Sequence, residues 1–414
     1  MNNLTGKYSF IAEELARCAK CGTCRSICPV FKETLEEGFS TRGKLAIFQS
    51  ALKGDLKASK KLKEILDYCL MCTKCRTKCP SLVQTDRVIR LAREWMNEKI
   101  GIPLPLKFVF RFIIPYRKIY NLTLHIASLF VRKGSKRISR HLPLALSKPL
   151  TSFPAIAKKP VLSSLASRHS STVNTNPRVA IFTGCLVNYI YPEIYHSATK
   201  LLDKAGISYI TPRGQLCCGT PLLLYGDTPS AKRLIKRNIA VFSREKVDAI
   251  VTLCASCGRT LKEEYNKMQN ANSKLQIPII DIIELLSKYS IHNSEFIIRN
   301  LSTAYHEPCH FTWTKAGNIT KKLLGEISDY IETDEEGLCC GGGGSFAFRY
   351  PELSDKIGSH KMDLLKKKTP DIIVTGCPGC IMQLRYLAEK NGLNNIKVCH
   401  TVELLVESSK RISD

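Results

Sequence analysis

The cysteines constrain this chain more than any other feature, because eighteen of the nineteen fall into four spaced blocks. Cys18, Cys21, Cys24 and Cys28-Pro29 read C-x2-C-x2-C-x3-C-P, and Cys69, Cys72, Cys75 and Cys79-Pro80 repeat the run. The other ten form two further blocks, each a lone cysteine, then Cys-Cys-Gly, then C-x-x-C. One comprises Cys185, Cys217, Cys218, Cys254 and Cys257, the other Cys309, Cys339, Cys340, Cys377 and Cys380. Repeated C-x2-C spacing in a 414-residue chain points to metal rather than to a disulfide framework, and so to a reducing compartment. Adjacent cysteines at a glycine turn do not readily bridge to each other, since a vicinal disulfide strains the peptide between them.

The chain is long enough for two or three domains. An apolar content of 44% with 24% charged residues is ordinary for a soluble globular protein. Met1 to Ala19 has no apolar core of a secretory signal, so a cytoplasmic location is expected. Residues 1–100 read as a helical unit. Thr41 to Tyr68 is rich in Leu, Lys, Ala and Ile at helical spacing, and Val83 to Lys99 sets Val88, Leu91, Ala92 and Trp95 on one helix face. Residues 101–177 change character. They carry thirteen Lys or Arg and no acidic residue, half of a net charge of +26, which favours anionic partners over a merely solvated linker. Within them, Ile102 to Val131 is apolar, but Lys107, Arg111, Arg117 and Lys118 leave no uncharged run of the ~18 residues that a membrane span needs. Basic residues among Phe108, Phe110, Phe112, Tyr116 and Phe130 suit a helix lying on a membrane surface, the inner face of the cell membrane here; the alternative is that these rings pack on the protein itself. A Ser/Pro/Lys-rich stretch from Gly134 to Pro177 reads as a linker.

From Arg178 the chain repeats itself. Cys185 and Cys309 are 124 residues apart, Cys218 and Cys340 are 122, and Cys254 and Cys377 are 123. Asp248-Ala-Ile-Val-Thr252 parallels Asp371-Ile-Ile-Val-Thr375, and the run from Ile279 to Leu286 parallels that from Val398 to Leu405. Short apolar runs such as Val179 to Phe182 and Ile372 to Val374 read as buried parallel strands, each leading to a loop and a helix. The expected architecture is an α+β multidomain chain: a helical domain over 1–100, the basic segment 101–177, and two repeated α/β modules over 178–292 and 293–414 that face each other.

C-x2-C-x2-C-x3-C-P is the bacterial ferredoxin signature, in which three thiolates hold one [4Fe–4S] cube and the fourth reaches across to the other. If the crossing holds, Cys18, Cys21, Cys24 and Cys79 form one set and Cys69, Cys72, Cys75 and Cys28 the other. Zinc also takes four cysteines, but zinc ribbons seldom add the third and fourth cysteines at this spacing, and here it occurs twice. In the later blocks, glycine after the cysteine pair removes a Cβ that would crowd a metal centre. The run Gly341 to Gly344 lacks the GK[ST] of a phosphate loop. His306 and His310 flank Cys309 as metal ligands, proton shuttles or hydrogen-bonding supports, the last being preferred. Cys399 reads as a small buried hydrophobe.

Paired Cys…Cys-Cys-Gly…Cys-x-x-Cys blocks resemble the cysteine-rich CCG domain of heterodisulfide reductases. The whole order, two ferredoxin motifs followed by two such domains, resembles the glycolate oxidase iron–sulfur subunit family. It is also similar to the C subunit of anaerobic glycerol-3-phosphate dehydrogenase and to lactate-utilisation subunits. Thr41-Arg42-Gly43-Lys44-Leu45-Ala46, Glu307-Pro308-Cys309-His310 and Cys377-Pro378-Gly379-Cys380 add to the likeness. The resemblance implies two cubane clusters at residues 18–79 and one or two further, non-cubane clusters, since both five-cysteine blocks keep the cysteines that such a cluster uses. Cys254-Ala-Ser-Cys257 lacks the Pro-Gly of its counterpart, which sets the first block apart.

No G-x-G-x-x-G opens a strand–helix unit, so no flavin site is legible, and hydride chemistry on a 2-hydroxy acid needs such a cofactor. The chain is therefore expected to relay electrons from an FAD-containing partner subunit, oxidising glycolate or lactate, to a quinone or other acceptor. The alternatives are a subunit that itself reduces disulfides, a glycerol-3-phosphate dehydrogenase C-type subunit, and a zinc-dependent nucleic-acid binder favoured only by the charge. No nucleic-acid partner is expected.

Overall fold

The computed structural model describes residues 7–126, 154–165, 169–170, 177–268, 277–289, 301–333 and 337–410. Two compact units make up the chain. The first combines Met1–Phe112 with Pro221–Ala231 and Cys339–Ser359; the second combines Ile113–Thr220, Lys232–Leu338 and His360–Asp414.

The first unit is helical. Helices Lys7–Arg17, Thr41–Lys53, Lys60–Asp67 and Thr85–Ile100 close on a core of Ile11, Leu45, Phe48, Leu66, Val88, Ile89, Ala92 and Met96. Each large apolar side chain there contributes about 1.5–3 kcal/mol by leaving water. Serines start two of these helices: the Ser40 hydroxyl accepts from Gly43 N at 2.9 Å and the Ser59 hydroxyl from Leu62 N at 3.2 Å. A second cluster of Val30, Phe39, Leu70, Phe346 and Ile357 seats the 339–359 segment against the two cysteine loops. Arg93, 5% exposed, donates to the carbonyls of Leu66, Asp67 and Cys69, and to that of Leu224 on the 221–231 segment. One buried guanidinium thus fixes the entrance to the second cysteine loop.

The second unit holds two sheets. Strands β1 (His169–Ser170), β2 (Arg178–Phe182), β3 (Ser208–Thr211), β4 (Ala249–Thr252) and β5 (Ile279–Asp281) run in the order β1-β3-β2-β4-β5. Strands β6 (Ser302–Tyr305), β7 (Asp329–Ile331), β8 (Ile372–Thr375) and β9 (Lys397–His400) run β7-β6-β8-β9. All pairings are parallel except that of β1 with β3, an antiparallel edge that sequence periodicity did not reveal. The order β3-β2-β4-β5 equals β7-β6-β8-β9, so the internal repeat is structural. Small ties repeat as well: Asp248 accepts from Arg178 N, and Asp371 from Ser302 N, each at 2.8 Å.

The two modules face each other within this unit. Helix Pro192–Lys204 lies on helix Thr401–Lys410, and the Arg385 guanidinium sits 5.2 Å from the Tyr191 ring centroid. Trp313 covers Gly258 and donates from its indole nitrogen to the Ala255 carbonyl at 3.1 Å.

The basic segment packs in part on the protein. Phe110 is buried, its ring 5.3 Å from that of Tyr225, whereas Phe108, Phe112 and Tyr116 are about half exposed. Phe130 and most of the expected linker over 134–177 lie outside the described residues. Of the described part, Val161 and Leu162 are buried, and Leu162 N donates to Asn188 at 2.8 Å. Among the described residues no helix is long and apolar enough to cross a membrane.

Candidate metal centres

None of the nineteen cysteines is joined in a disulfide. In the first unit the two ferredoxin-type loops share one backbone path. Lys20 and Gly22 (φ 56° and 86°) match Met71 and Thr73 (φ 56° and 66°), each pair lying two and four residues after its first cysteine. These left-handed residues turn successive thiols to one side. Glycine takes such a conformation freely, whereas a β-branched residue is strained there. Thr73 is buried in that conformation, which marks the turn as over-determined by its surroundings.

The structure brings the thiols together in the crossed pattern. A cleft of about 450 Å³, counted with its opening to solvent, is lined by Cys28 from the first block and Cys69, Cys72 and Cys75 from the second, with Thr41, Lys44 and Thr85. Burial pushes the Cys75 thiol strongly up, reinforced by Cys72 and Cys69; its sulfur lies 2.8 Å from the Thr85 hydroxyl. Cys24 is likewise pushed up by burial, opposed by a hydrogen bond from the Arg42 backbone and reinforced by Cys18, Cys21 and Cys79. The short helices Thr23–Ser26 and Lys74–Thr77 meet to set these loops side by side.

In the second unit, cysteines follow the carboxyl ends of parallel strands, the usual place for chemistry in open α/β sheets. Cys185 follows β2, Cys254 follows β4, Cys309 follows β6 and Cys377 follows β8. Hydrogen bonds link neighbouring thiols in one row, Cys185–Cys217–Cys218–Cys257–Cys254–Cys377–Cys380, which crosses from one module to the other. Cys254 and Cys377 both cap helices from extended backbone. Cys377 is held well below the usual thiol range by hydrogen bonds from Cys254 and Cys380 and by backbone N–H groups of its own helix start. Cys218 is lowered by Cys217, Cys257 and Thr220.

Cys339 and Cys340 belong to the segment in the first unit. Gly341 N donates to the Cys339 sulfur at 3.4 Å, and Gly341 itself has φ 77°. A Cβ there would meet the Ser354 carbonyl at 2.2 Å, so within this unit the glycine is required by backbone crowding. Cys309 is half-buried and Cys399 is 1% exposed, the latter as expected of a small core residue.

Several supporting residues carried no sequence signal. Asn238, fully buried, accepts from Leu216 N at 2.7 Å and donates to the Cys217 carbonyl at 3.0 Å and to the Tyr265 hydroxyl at 2.8 Å, bracketing the Cys217-Cys218 turn. The Thr220 hydroxyl sits 3.1 Å from the Cys218 sulfur. Ser256 lies 2.8 Å from His310 Nδ1 and 3.9 Å from the Cys377 sulfur, so His310 supports the row through a hydroxyl. A ring nitrogen of His306 lies within 4.8 Å of the Cys380 sulfur, and its Nδ1 is buried with no hydrogen-bond partner among the described residues. Over Cys185 and Cys217 lies a second cleft, about 350 Å³ counted with its opening to solvent, walled by Ile114, Arg117, Tyr120, Tyr189 and Gln215. Burial there drives the Tyr120 hydroxyl far above its ordinary value, with Cys185 and Cys217 adding to the shift. Clustered thiols outside any disulfide, a buried histidine nitrogen without a hydrogen-bond partner among the described residues, and clefts lined by sulfur fit inorganic iron–sulfur groups.

Comparison with known proteins agrees. A 4Fe-4S dicluster domain matches residues 14–83, and a cysteine-rich CCG domain matches residues 179–262 and again 303–385. An uncharacterized iron–sulfur protein of Methanococcus maripaludis is 30% identical over 402 residues, spanning 95% of this chain and 73% of that protein. The B subunit of the fumarate reductase (CoM/CoB) of Methanothermobacter marburgensis is 28% identical over 403 residues, spanning 95% and 72%. The probable glycolate oxidase iron–sulfur subunit of Bacillus subtilis is 26% identical over 421 residues, spanning 96% and 94%. The chain therefore belongs to the family of iron–sulfur proteins in which a 4Fe-4S dicluster domain precedes two CCG domains, the family of the glycolate oxidase iron–sulfur subunits.

Proposed function

We propose that the chain is the electron-transfer subunit of a flavin-dependent 2-hydroxy-acid dehydrogenase complex, receiving electrons from an FAD-containing partner that oxidises glycolate or lactate. The observation that carries this reading is the crossing of thiols in the first unit, where Cys28 joins Cys69, Cys72 and Cys75 around one cleft. Cys18, Cys21, Cys24 and Cys79 hold one [4Fe–4S] cluster and Cys28, Cys69, Cys72 and Cys75 the other; each supplies one-electron storage when bound. The helices around them fix the thiols, so little rearrangement accompanies a change of charge. Each five-cysteine block holds a further, non-cubane cluster. The cleft over Cys185 and Cys217, with Tyr120, Tyr189 and Arg117 around it, is where a quinone or other planar acceptor would approach the thiols. Ile119, Leu122 and Ile126 are exposed on the helix over 117–126, and with the basic residues around them they suit contact with anionic lipid on the inner membrane face.

Anaerobic purification tests this reading. Expected are a brown protein with iron and acid-labile sulfide, a visible band that bleaches with dithionite, and co-purification with a flavoprotein. A colourless zinc protein, or solo activity on glycolate without flavin, sinks it. A second reading, catalysis of disulfide reduction by the CCG blocks, is favoured by the thiol row and by the relative named for coenzymes M and B. It predicts thiol release from mixed disulfides that is lost in Cys340→Ala while the N-terminal clusters remain loaded.

A further inference from the structure

Arg42 and Lys44 stand two residues apart on helix Thr41–Lys53, and they meet the two N-terminal thiol sets on unequal terms. Arg42 lies toward Cys18 and Cys24, but its side chain is 34% exposed and Glu37 neutralises it at 2.8 Å. Lys44 is 2% exposed and lines the cleft of Cys28, Cys69, Cys72 and Cys75. Its ammonium donates to the Phe39 carbonyl, and no carboxylate among the described residues pairs with it. Burial pushes its pKa down, while Cys69, Cys28 and Cys75 push it back up. The nearby cation Arg93 is already tied to Asp67 at 3.5 Å and to backbone carbonyls.

A buried cation without a counter-ion is costly, and the thiolates facing Lys44 are the natural counterpart. Sealed from solvent itself, Lys44 is screened less than Arg42, whose field is damped by water and by Glu37. Reduction adds one negative charge to a site, so an adjacent buried cation favours the reduced form.

We propose that Lys44 is a fixed counter-charge that makes the Cys28/Cys69/Cys72/Cys75 site the more easily reduced of the two. The Cys18/Cys21/Cys24/Cys79 site then gives one electron to it and is oxidised as it is reduced; no bond forms or breaks, and no proton is required. The inference rests on the reading that both thiol sets hold iron–sulfur clusters, and it adds an order of reduction between them.

The test is a potentiometric titration of the anaerobically loaded full-length chain, followed by low-temperature spin resonance. Signals are assigned by Cys72→Ser, which perturbs one site, and Cys21→Ser, which perturbs the other. In the unsubstituted chain the site sensitive to Cys72→Ser is reduced first. Lys44→Met shifts that site's reduction equilibrium about tenfold toward the oxidised form, ~59 mV for one electron, and leaves the other site in place. Lys44→Arg retains most of the original midpoint, and Arg42→Gln moves either site by less than about threefold, as expected of a solvated, paired charge. Unmoved midpoints in Lys44→Met, or equal shifts at both sites, overturn the inference. Should Lys44→Met fail to load, the order of reduction in the unsubstituted chain decides: first reduction at the site sensitive to Cys21→Ser overturns it. Absence of iron from both thiol sets sinks the electron-transfer reading itself, and this inference with it; loaded sites without the predicted order sink the inference alone.

Discussion

The helical unit and the α/β unit bring sulfur atoms together by opposite means. In the ferredoxin-type loops three thiols stand three residues apart, and left-handed residues at matching positions aim them to one side. The site is built from turns, and its cysteines stay half-buried or, for Cys21, exposed. In the α/β unit the cysteines of the first block are separated by gaps of 31 and 35 residues, and the parallel registers of β2 with β3 and with β4 bring them close. That site is built from the fold, and Cys218, Cys254, Cys257, Cys377 and Cys380 are buried. A turn-built site should tolerate changes in distant packing and fail with a local change; a fold-built one should do the reverse.

The largest effect expected is loss of a cluster. Cys28→Ser should remove iron from the set shared with Cys69, Cys72 and Cys75 while leaving the Cys18 set loaded, which iron analysis and spin-resonance spectra would show. Loss of the Cys18 set instead would break the crossed arrangement.

Next is Gly258→Ala, whose Cβ would lie 2.0 Å from the Trp313 ring. Overpacking of this kind costs about 1–3 kcal/mol. Urea unfolding should show the loss in the α/β unit, with N-terminal iron retained; iron lost first from residues 18–79 would contradict the distinction drawn between the units.

A pH effect of about 1.4 kcal/mol per unit follows from a pair of equivalent positions. Asp281 ends β5 opposite Thr252, and His400 ends β9 opposite Thr375. Burial raises the Asp281 carboxyl to about 7 and lowers His400 to about 4. His400 is neutral when folded but takes a proton when unfolded below its ordinary range, so its contribution falls as pH drops from about 6.5 to 4. Asp281 stays protonated when folded but ionises when unfolded, so its contribution falls as pH rises from about 4 to 7. Relative to the unsubstituted chain, His400→Gln should gain stability toward pH 4 and Asp281→Asn toward pH 7. Parallel slopes for the two variants in urea titrations would refute the assignment.

The smallest effect is Thr73→Gly, which should relieve a left-handed β-branched residue and stabilise the helical unit by about 1 kcal/mol. Gly22→Ala at the matching position should cost a similar amount. Equal melting temperatures for both variants would remove turn strain from the account.

Much of this was legible because spacing is local information. The C-x2-C runs named the helical unit's thiols, and the offset of 122 to 124 residues announced two modules that share one strand order. What stayed hidden was whatever depends on residues distant in sequence. Asn238 behind the Cys217 turn, Ser256 between His310 and Cys377, and the edge strand β1 have no periodicity or motif to mark them. Lys44 was visible as one letter of a family-like stretch, but its burial was not.

The sequence by itself determined that sulfur would be gathered, how many thiols each block offers and that the second half is doubled, because covalent spacing and apolar runs survive without a fold. Only the tertiary structure decided that Cys28 leaves its own block for the second loop, that Cys254 and Cys377 of different modules touch, and that one of two neighbouring cations is sealed from water. Those outcomes depend on packing, which sets distance and dielectric between residues far apart along the chain.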